Sequence, residues 1–149
     1  MTHPDKNTLI ASAKILMVDD EHHARKTIHA LLLAMGCSRI LEARDGESGL
    51  DAIRTFAPDV VLLDWEAPGV GGAEFVRRLR AGHPHPYGNV PIVMLTGHAN
   101  HSLVLDAVRS GVHEFLLKPV SRSALNARLL SVLAKHERLQ RSQVRKLAS

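Results

Sequence analysis

The chain has 149 residues, 45% of them hydrophobic and 23% charged, ordinary globular proportions that exclude a disordered or fibrous polymer and fit one domain around one core. Its longest apolar run, Ala30 to Met35, is far shorter than the roughly 18 residues that cross a bilayer, the polar N-terminus lacks the layout of a secretory signal, and Cys37 alone can form neither an internal disulfide nor a cysteine-built zinc site. Of the net charge of +4, +3 falls from Glu137 onward through Arg138, Arg141, Arg145 and Lys146, so the body is nearly neutral and the excess reads as a solvated helix end in a cytoplasmic protein.

Residues 1–12 read as a loose leader. Aliphatic and β-branched runs then appear at Lys14 to Val18, Arg39 to Ala43, Asp59 to Leu63, Val90 to Leu95 and His113 to Leu117, and their near-continuous apolar character is that of strands buried on both faces. Between them apolar residues recur at helical spacing: Ala24, Ile28, Leu31, Leu32 and Met35; Leu50, Ile53 and Phe56; Phe75, Val76 and Leu79; Leu103, Leu105 and Val108. Asp45-Gly46, the Pro68 to Gly72 stretch and Gly111 punctuate the boundaries. A last helix opens at a Ser121 N-cap, buries Leu125, Leu129, Val132 and Leu133, and stays packed to about Leu139. Strand and helix alternate, which predicts an α/β fold with a doubly wound five-stranded parallel sheet, helices on both faces and right-handed crossovers. The domain spans residues 13–136, followed by a basic helical tail at 137–149.

In such folds the working site lies outside the carboxyl ends of the strands. Asp19 and Asp20 follow the first strand and Asp64 ends the third, so three carboxylates meet at adjacent strand ends. Two carboxylates about 4 Å apart repel by roughly 4 kcal/mol at an effective dielectric of 20, and a proton, a lysine or a divalent cation must compensate. Hard oxygen ligands suit Mg²⁺. Lys118, before Pro119, ends the fifth strand, and Thr96 ends the fourth, which brings an ammonium and a hydroxyl to the same rim. A lysine there can neutralise the carboxylates and hold a phosphoryl oxygen, and a threonine hydroxyl can donate to another.

The ordered set Asp19-Asp20, Asp64, Thr96 and Lys118-Pro119, with Phe115 three residues before the lysine, resembles the receiver domain of two-component response regulators. The resemblance implies the flavodoxin-like strand order 2-1-3-4-5 and a phosphoacceptor role for Asp64. It also implies Mg²⁺ ligation by Asp20 and Asp64 directly, by Asp19 mainly through water and by the backbone carbonyl of Glu66. Lys118 and Thr96 would contact the phosphoryl group, the Lys118-Pro119 bond would be cis, and Thr96 and Phe115 would form the switch pair. The donor would be a sensor histidine kinase. Output would pass through the helix at Asn100 to Ser110, the fifth strand and the last helix, to a target protein or a histidine phosphotransfer protein, with homodimerisation through the same face.

Several residues depart from the family's usual pattern. Glu66 stands two after Asp64, where Asn or Met is usual, Ala67 replaces a common Met, and Gly97-His98 follows Thr96. The Gly69 to Gly72 stretch lacks the Lys-Ser/Thr ending of a phosphate loop and reads as a turn. A haloacid-dehalogenase-type phosphatase would also use an aspartyl nucleophile with Mg²⁺, but it needs an acid two residues on, where Glu66 is longer than the required Asp. A flavodoxin-like anion-binding module would be repelled by Asp19-Asp20-Glu21. The residues after the last packed helix are too few for a helix-turn-helix, so a stand-alone receiver is expected and DNA binding is not.

Overall fold

Five strands, β1 (Lys14–Val18), β2 (Arg39–Ala43), β3 (Val60–Asp64), β4 (Ile92–Thr96) and β5 (Glu114–Leu117), pair in parallel in the order β2-β1-β3-β4-β5. The computed structural model describes residues 5–82, 87–98 and 100–148, with the side chains of residues 6, 87, 136–141, 143, 144 and 148 outside the description. Six helices accompany the strands: α1 (Lys6–Ser12), α2 (His22–Ala34), α3 (Gly46–Phe56), α4 (Gly72–Gly82), α5 (His101–Ser110) and α6 (Arg122–Ala148). The architecture and strand order are those expected from the sequence. None of the described helices is long and apolar enough to cross a membrane.

The strand alternation sorts side chains into two cores. Ile15, Met17, Val60, Leu62, Val93 and Leu95 face one layer, with Ile28 and Leu32 of α2 and Leu125 and Leu129 of α6. Leu16, Val18, Val61, Leu63, Ile92 and Met94 face the other, with Leu50 and Ile53 of α3 and Phe75, Val76 and Leu79 of α4. Both faces of β1, β3 and β4 are therefore covered, which is why these segments tolerate continuous apolar sequence. The expectation of double burial fails for β2 and β5. Only Ala43 of β2 and Leu116 of β5 are buried, because each strand lies at a sheet edge beyond the centre of the helical layers.

Of the expected loose leader at residues 1–12, residues 1–4 lie outside the described residues and the remainder is corrected. From Lys6 to Ser12 the chain forms α1, capped by Asp5, whose carboxylate accepts from the Thr8 N–H at 2.8 Å and the Thr8 hydroxyl at 3.0 Å. Ile10 and Ala13 are buried in the first core, and α1 packs on α6. A helix this short has no legible period, and one apolar anchor holds it because α6 supplies the opposing surface. At the start of α6, Ser121 Oγ accepts from the Ala124 N–H at 3.2 Å, as the predicted cap should. Leu125, Leu129, Val132 and Leu133 are buried, and the helix runs unbroken to Ala148. The packing expected of Leu139, and the side chains of Arg138 and Arg141, lie outside the described residues.

The order β2-β1-β3 means that successive connections leave β1 in opposite directions, so a crevice opens beyond the carboxyl ends of β1 and β3.

Candidate functional site

That crevice holds the predicted acidic cluster. Asp19 follows β1 directly and its N–H donates to Ala43 O at 3.0 Å, which continues the sheet one residue past the strand. Its side chain is fully buried; Oδ1 accepts from the Glu21 N–H at 3.0 Å, and the Asp19 carbonyl accepts from Arg25 Nη1 at 2.6 Å. Asp64, the last residue of β3, is 5% exposed, whereas Asp20 is exposed at the mouth. One carboxylate oxygen from each of the three lies within 4.8 Å of the others.

Lys118 follows β5, where its N–H donates to Thr96 O at 2.8 Å and the Lys118-Pro119 peptide is cis. Its Nζ lies 2.8 Å from Asp19 Oδ2 and 3.6 Å from Asp64 Oδ1. Burial disfavours the ammonium, but the close contact and charge of Asp19, with the charges of Asp64 and Glu21, outweigh it and raise the Lys118 pKa above its usual value. The same surroundings act oppositely on Asp64. Burial, reinforced by the negative charge of Asp19 and only partly relieved by Lys118, pushes its carboxyl up to about 7. One lysine therefore does not balance three carboxylates.

The donor set fits a hard divalent cation. All three side chains offer carboxylate oxygens, their spacing matches a shared ion, and wholly buried Asp19 Oδ2 accepts no well-angled hydrogen bond, its contact with Lys118 being an ion pair. Asp19, Asp20 and Asp64 are the residues that could hold such an ion, with the Glu66 carbonyl two residues beyond Asp64.

The loop leaving Asp64 is firmly seated. The Trp65 N–H donates to Leu95 O at 2.9 Å, and the Gly72 N–H donates back to Trp65 O at 3.2 Å. The indole lies so close to Gly72 that a Cβ there would fall 2.1 Å from Trp65 Cε3. On the other flank, Gly46 of α3 admits Val70, whose Cβ would be 2.8 Å from a Cβ at residue 46.

Thr96 is buried at the end of β4, but its hydroxyl is already engaged. It donates to Glu66 Oε1 in a short hydrogen bond, has the His98 carbonyl 3.1 Å away as a second acceptor, and itself accepts from the His98 N–H at 3.0 Å. The exposed His98 ring has Nδ1 3.7 Å from the same Glu66 oxygen. Phe115 pairs in register with Met94 and sits on the same sheet face as Thr96, half-buried against the second core. The fold thus brings Asp19, Asp20, Asp64 and Lys118 together. Thr96 and Glu66 form an adjoining pair, and Phe115 lies one step along the sheet.

Sequence reasoning missed Arg25, which fastens the Asp19 backbone and pairs with Glu42 at 3.3 Å, and the side-chain role of Glu66. An arginine in the first turn of the helix that follows the acidic pair could have suggested the first. The second needed the β3–α4 and β4–α5 loops to be placed side by side.

Comparison with known proteins follows the same lines. The family model described as response regulator receiver domain matches residues 15–130. Chemotaxis protein CheY-3 of Vibrio cholerae is 30% identical over 116 residues, which cover 78% of this chain and 88% of that protein. A chemotaxis protein CheY homolog of Campylobacter jejuni is 31% identical over 121 residues, 80% of this chain and 92% of the relative. Among solved structures, a response regulator receiver domain protein from Clostridium thermocellum superposes with a TM-score of 0.75 at 28% identity, covering 85% of this chain and 98% of that one.

Proposed function

The chain belongs to the response regulator receiver domain family of two-component signalling, and on that premise we propose that Asp64 accepts a phosphoryl group from a sensor histidine kinase. The observation that carries this reading is the convergence on Asp64 of two further carboxylates and the Lys118 ammonium at the switch point of the sheet. An Asp64 carboxylate oxygen attacks the phosphorus of a phosphohistidine; an O–P bond forms, the P–N bond breaks, and the imidazole leaves and takes up a proton. Asp19, Asp20 and Asp64, with the Glu66 carbonyl, would hold Mg²⁺, which when bound offsets the charge of the carboxylates and of the phosphoryl oxygens.

Lys118 stands between Asp19 and Asp64, from where its ammonium can turn to an oxygen of the transferred group. Thr96, at the end of the neighbouring strand β4, supplies a hydroxyl donor. Its withdrawal toward the phosphoryl group leaves space on the sheet face that it shares with Phe115, and the two act as the switch pair. The readout surface is α5, β5 and α6. There Leu105, Val108 and Leu117 are exposed at 37%, 54% and 49%, apolar area suited to a target protein, a histidine phosphotransfer protein or a second copy of this chain.

The test is labelling by a small acyl phosphate with Mg²⁺, read by intact mass. One phosphoryl group is expected on the parent and on Asp45→Asn and Asp59→Asn, whose carboxylates cap α3 and accept from the Lys14 N–H away from the site. None is expected on Asp64→Asn. Labelling that survives Asp64→Asn refutes the assignment, and sustained turnover of a phosphate ester would favour a phosphatase instead.

A further inference from the structure

We infer that Glu66 is a positioning residue that restrains Thr96, competing with the incoming phosphoryl group for the single proton of the Thr96 hydroxyl. The inference rests on the phosphoacceptor reading of Asp64 and deepens it. A threonine hydroxyl has one proton to give. Here it goes to a carboxylate oxygen, Glu66 Oε1, a charged acceptor, with the neutral His98 carbonyl as the alternative at 3.1 Å. Hydrogen bonds to ionised acceptors are about twice as strong as neutral ones, so Glu66 is the preferred partner.

The restraint is built from both sides. Glu66 is anchored through its own N–H, which donates to Asp64 Oδ1 at 3.3 Å, and its carboxylate, 39% exposed, also faces His98 Nδ1 at 3.7 Å. Thr96 is fully buried and held in place by the His98 N–H. The Glu66 carboxylate itself is turned to Thr96 and His98, so its side chain acts through the Thr96 hydroxyl. When a phosphoryl oxygen claims the proton, Glu66 must release it. Part of the free energy of phosphoryl binding is spent on that exchange, and the inactive arrangement of Thr96 is favoured until then.

The experiment is a double-mutant cycle on the affinity for beryllofluoride in the presence of Mg²⁺, read by calorimetry and by Trp65 fluorescence. Glu66→Ala is expected to bind about tenfold more tightly than the parent, the equivalent of losing one charge-assisted hydrogen bond. Glu66→Gln, which keeps a neutral acceptor, should fall between. In a Thr96→Ala background Glu66→Ala should change nothing, and Thr96→Ser, which keeps the hydroxyl in a smaller side chain, should restore the tenfold difference. A Glu66→Ala gain that persists undiminished in Thr96→Ala would overturn the inference in favour of simple charge repulsion, as would a Glu66→Gln gain equal to that of Glu66→Ala. Loss of beryllofluoride binding in Asp64→Asn alone supports the underlying reading. Absence of binding in the parent and in Glu66→Ala overturns that reading and the restraint with it.

Discussion

The Lys118 ammonium sits 2.8 Å from Asp19 Oδ2 and 3.6 Å from Asp64 Oδ1, so it is paired first with the wholly buried carboxylate and only second with Asp64. Asp19 is wholly enclosed, and without a cation its charge would be stranded. Lys118 thus has a structural task, the neutralising of Asp19.

Lys118→Met should destabilise the fold by about 2–3 kcal/mol near neutral pH. That is somewhat below the cost of breaking a fully buried pair, because the Lys118 side chain is 20% exposed. Adding Asp19→Asn should recover most of the loss. Urea unfolding of the two single variants and the double variant measures the coupling, and strict additivity would show that the pair is not energetically linked.

Asp64 makes stability depend on pH. Its carboxyl titrates at about 7 in the folded protein, mainly because it is buried and secondly because Asp19 is near, against roughly 3.9 in the unfolded chain. The native state therefore holds an extra proton between these values. The associated stability is complete below about pH 4 and is lost as pH rises through about 7. Metal-free Asp64→Asn should accordingly melt higher than the parent at pH 8, by on the order of 5 °C, and the gap should close toward pH 4. Parallel melting curves across that range would contradict the assignment.

Divalent cation should remove the penalty. Titrating Mg²⁺ at pH 8 is expected to raise the parent's melting temperature and change Trp65 fluorescence, with modest affinity because few protein carboxylates serve the ion. Asp20→Ala should abolish both responses while leaving the metal-free melting temperature nearly unchanged, since Asp20 is exposed.

Gly72→Ala places a methyl where the Trp65 ring stands. Overpacking of this kind costs about 1–3 kcal/mol, and the displaced indole should shift the emission spectrum. Gly71→Ala next to it, where a Cβ meets nothing within 4 Å, is the control and should do neither.

Ile10→Ala should lower stability by about 2 kcal/mol, the low end of the range for emptying a buried aliphatic site, because α1 is short and its surroundings can relax. Denaturant unfolding would register no change if residues 6–12 were an unattached leader.

Much of this arrangement was legible before any coordinates. The doubly covered strands β1, β3 and β4 announce themselves by unbroken aliphatic sequence, and acids at the ends of β1 and β3, a threonine at the end of β4 and a lysine after β5 mark the site. What stayed hidden depends on long-range placement. The exposure of Leu41 and Glu42 follows from β2 being an edge, which strand composition does not encode. The helix at Lys6–Ser12 exists because α6 happens to lie opposite Ile10. The Glu66 to Thr96 bond joins the loop after β3 to the end of β4, 30 residues on, and a glutamate after a strand looks the same in sequence whether it faces water or a hydroxyl.

The contact between the Trp65 ring and Gly72, closed by the Gly72 N–H to the Trp65 carbonyl, pinches the chain between them into a self-contained collar. Its further edge rests on α3 through Val70 and Gly46. Frame and rim are thereby separate units of variation. A larger residue at 72 demands a smaller one at 65. Residue 66, inside the collar and turned toward Thr96, can be exchanged without disturbing the Trp65–Gly72 contact that seats α4.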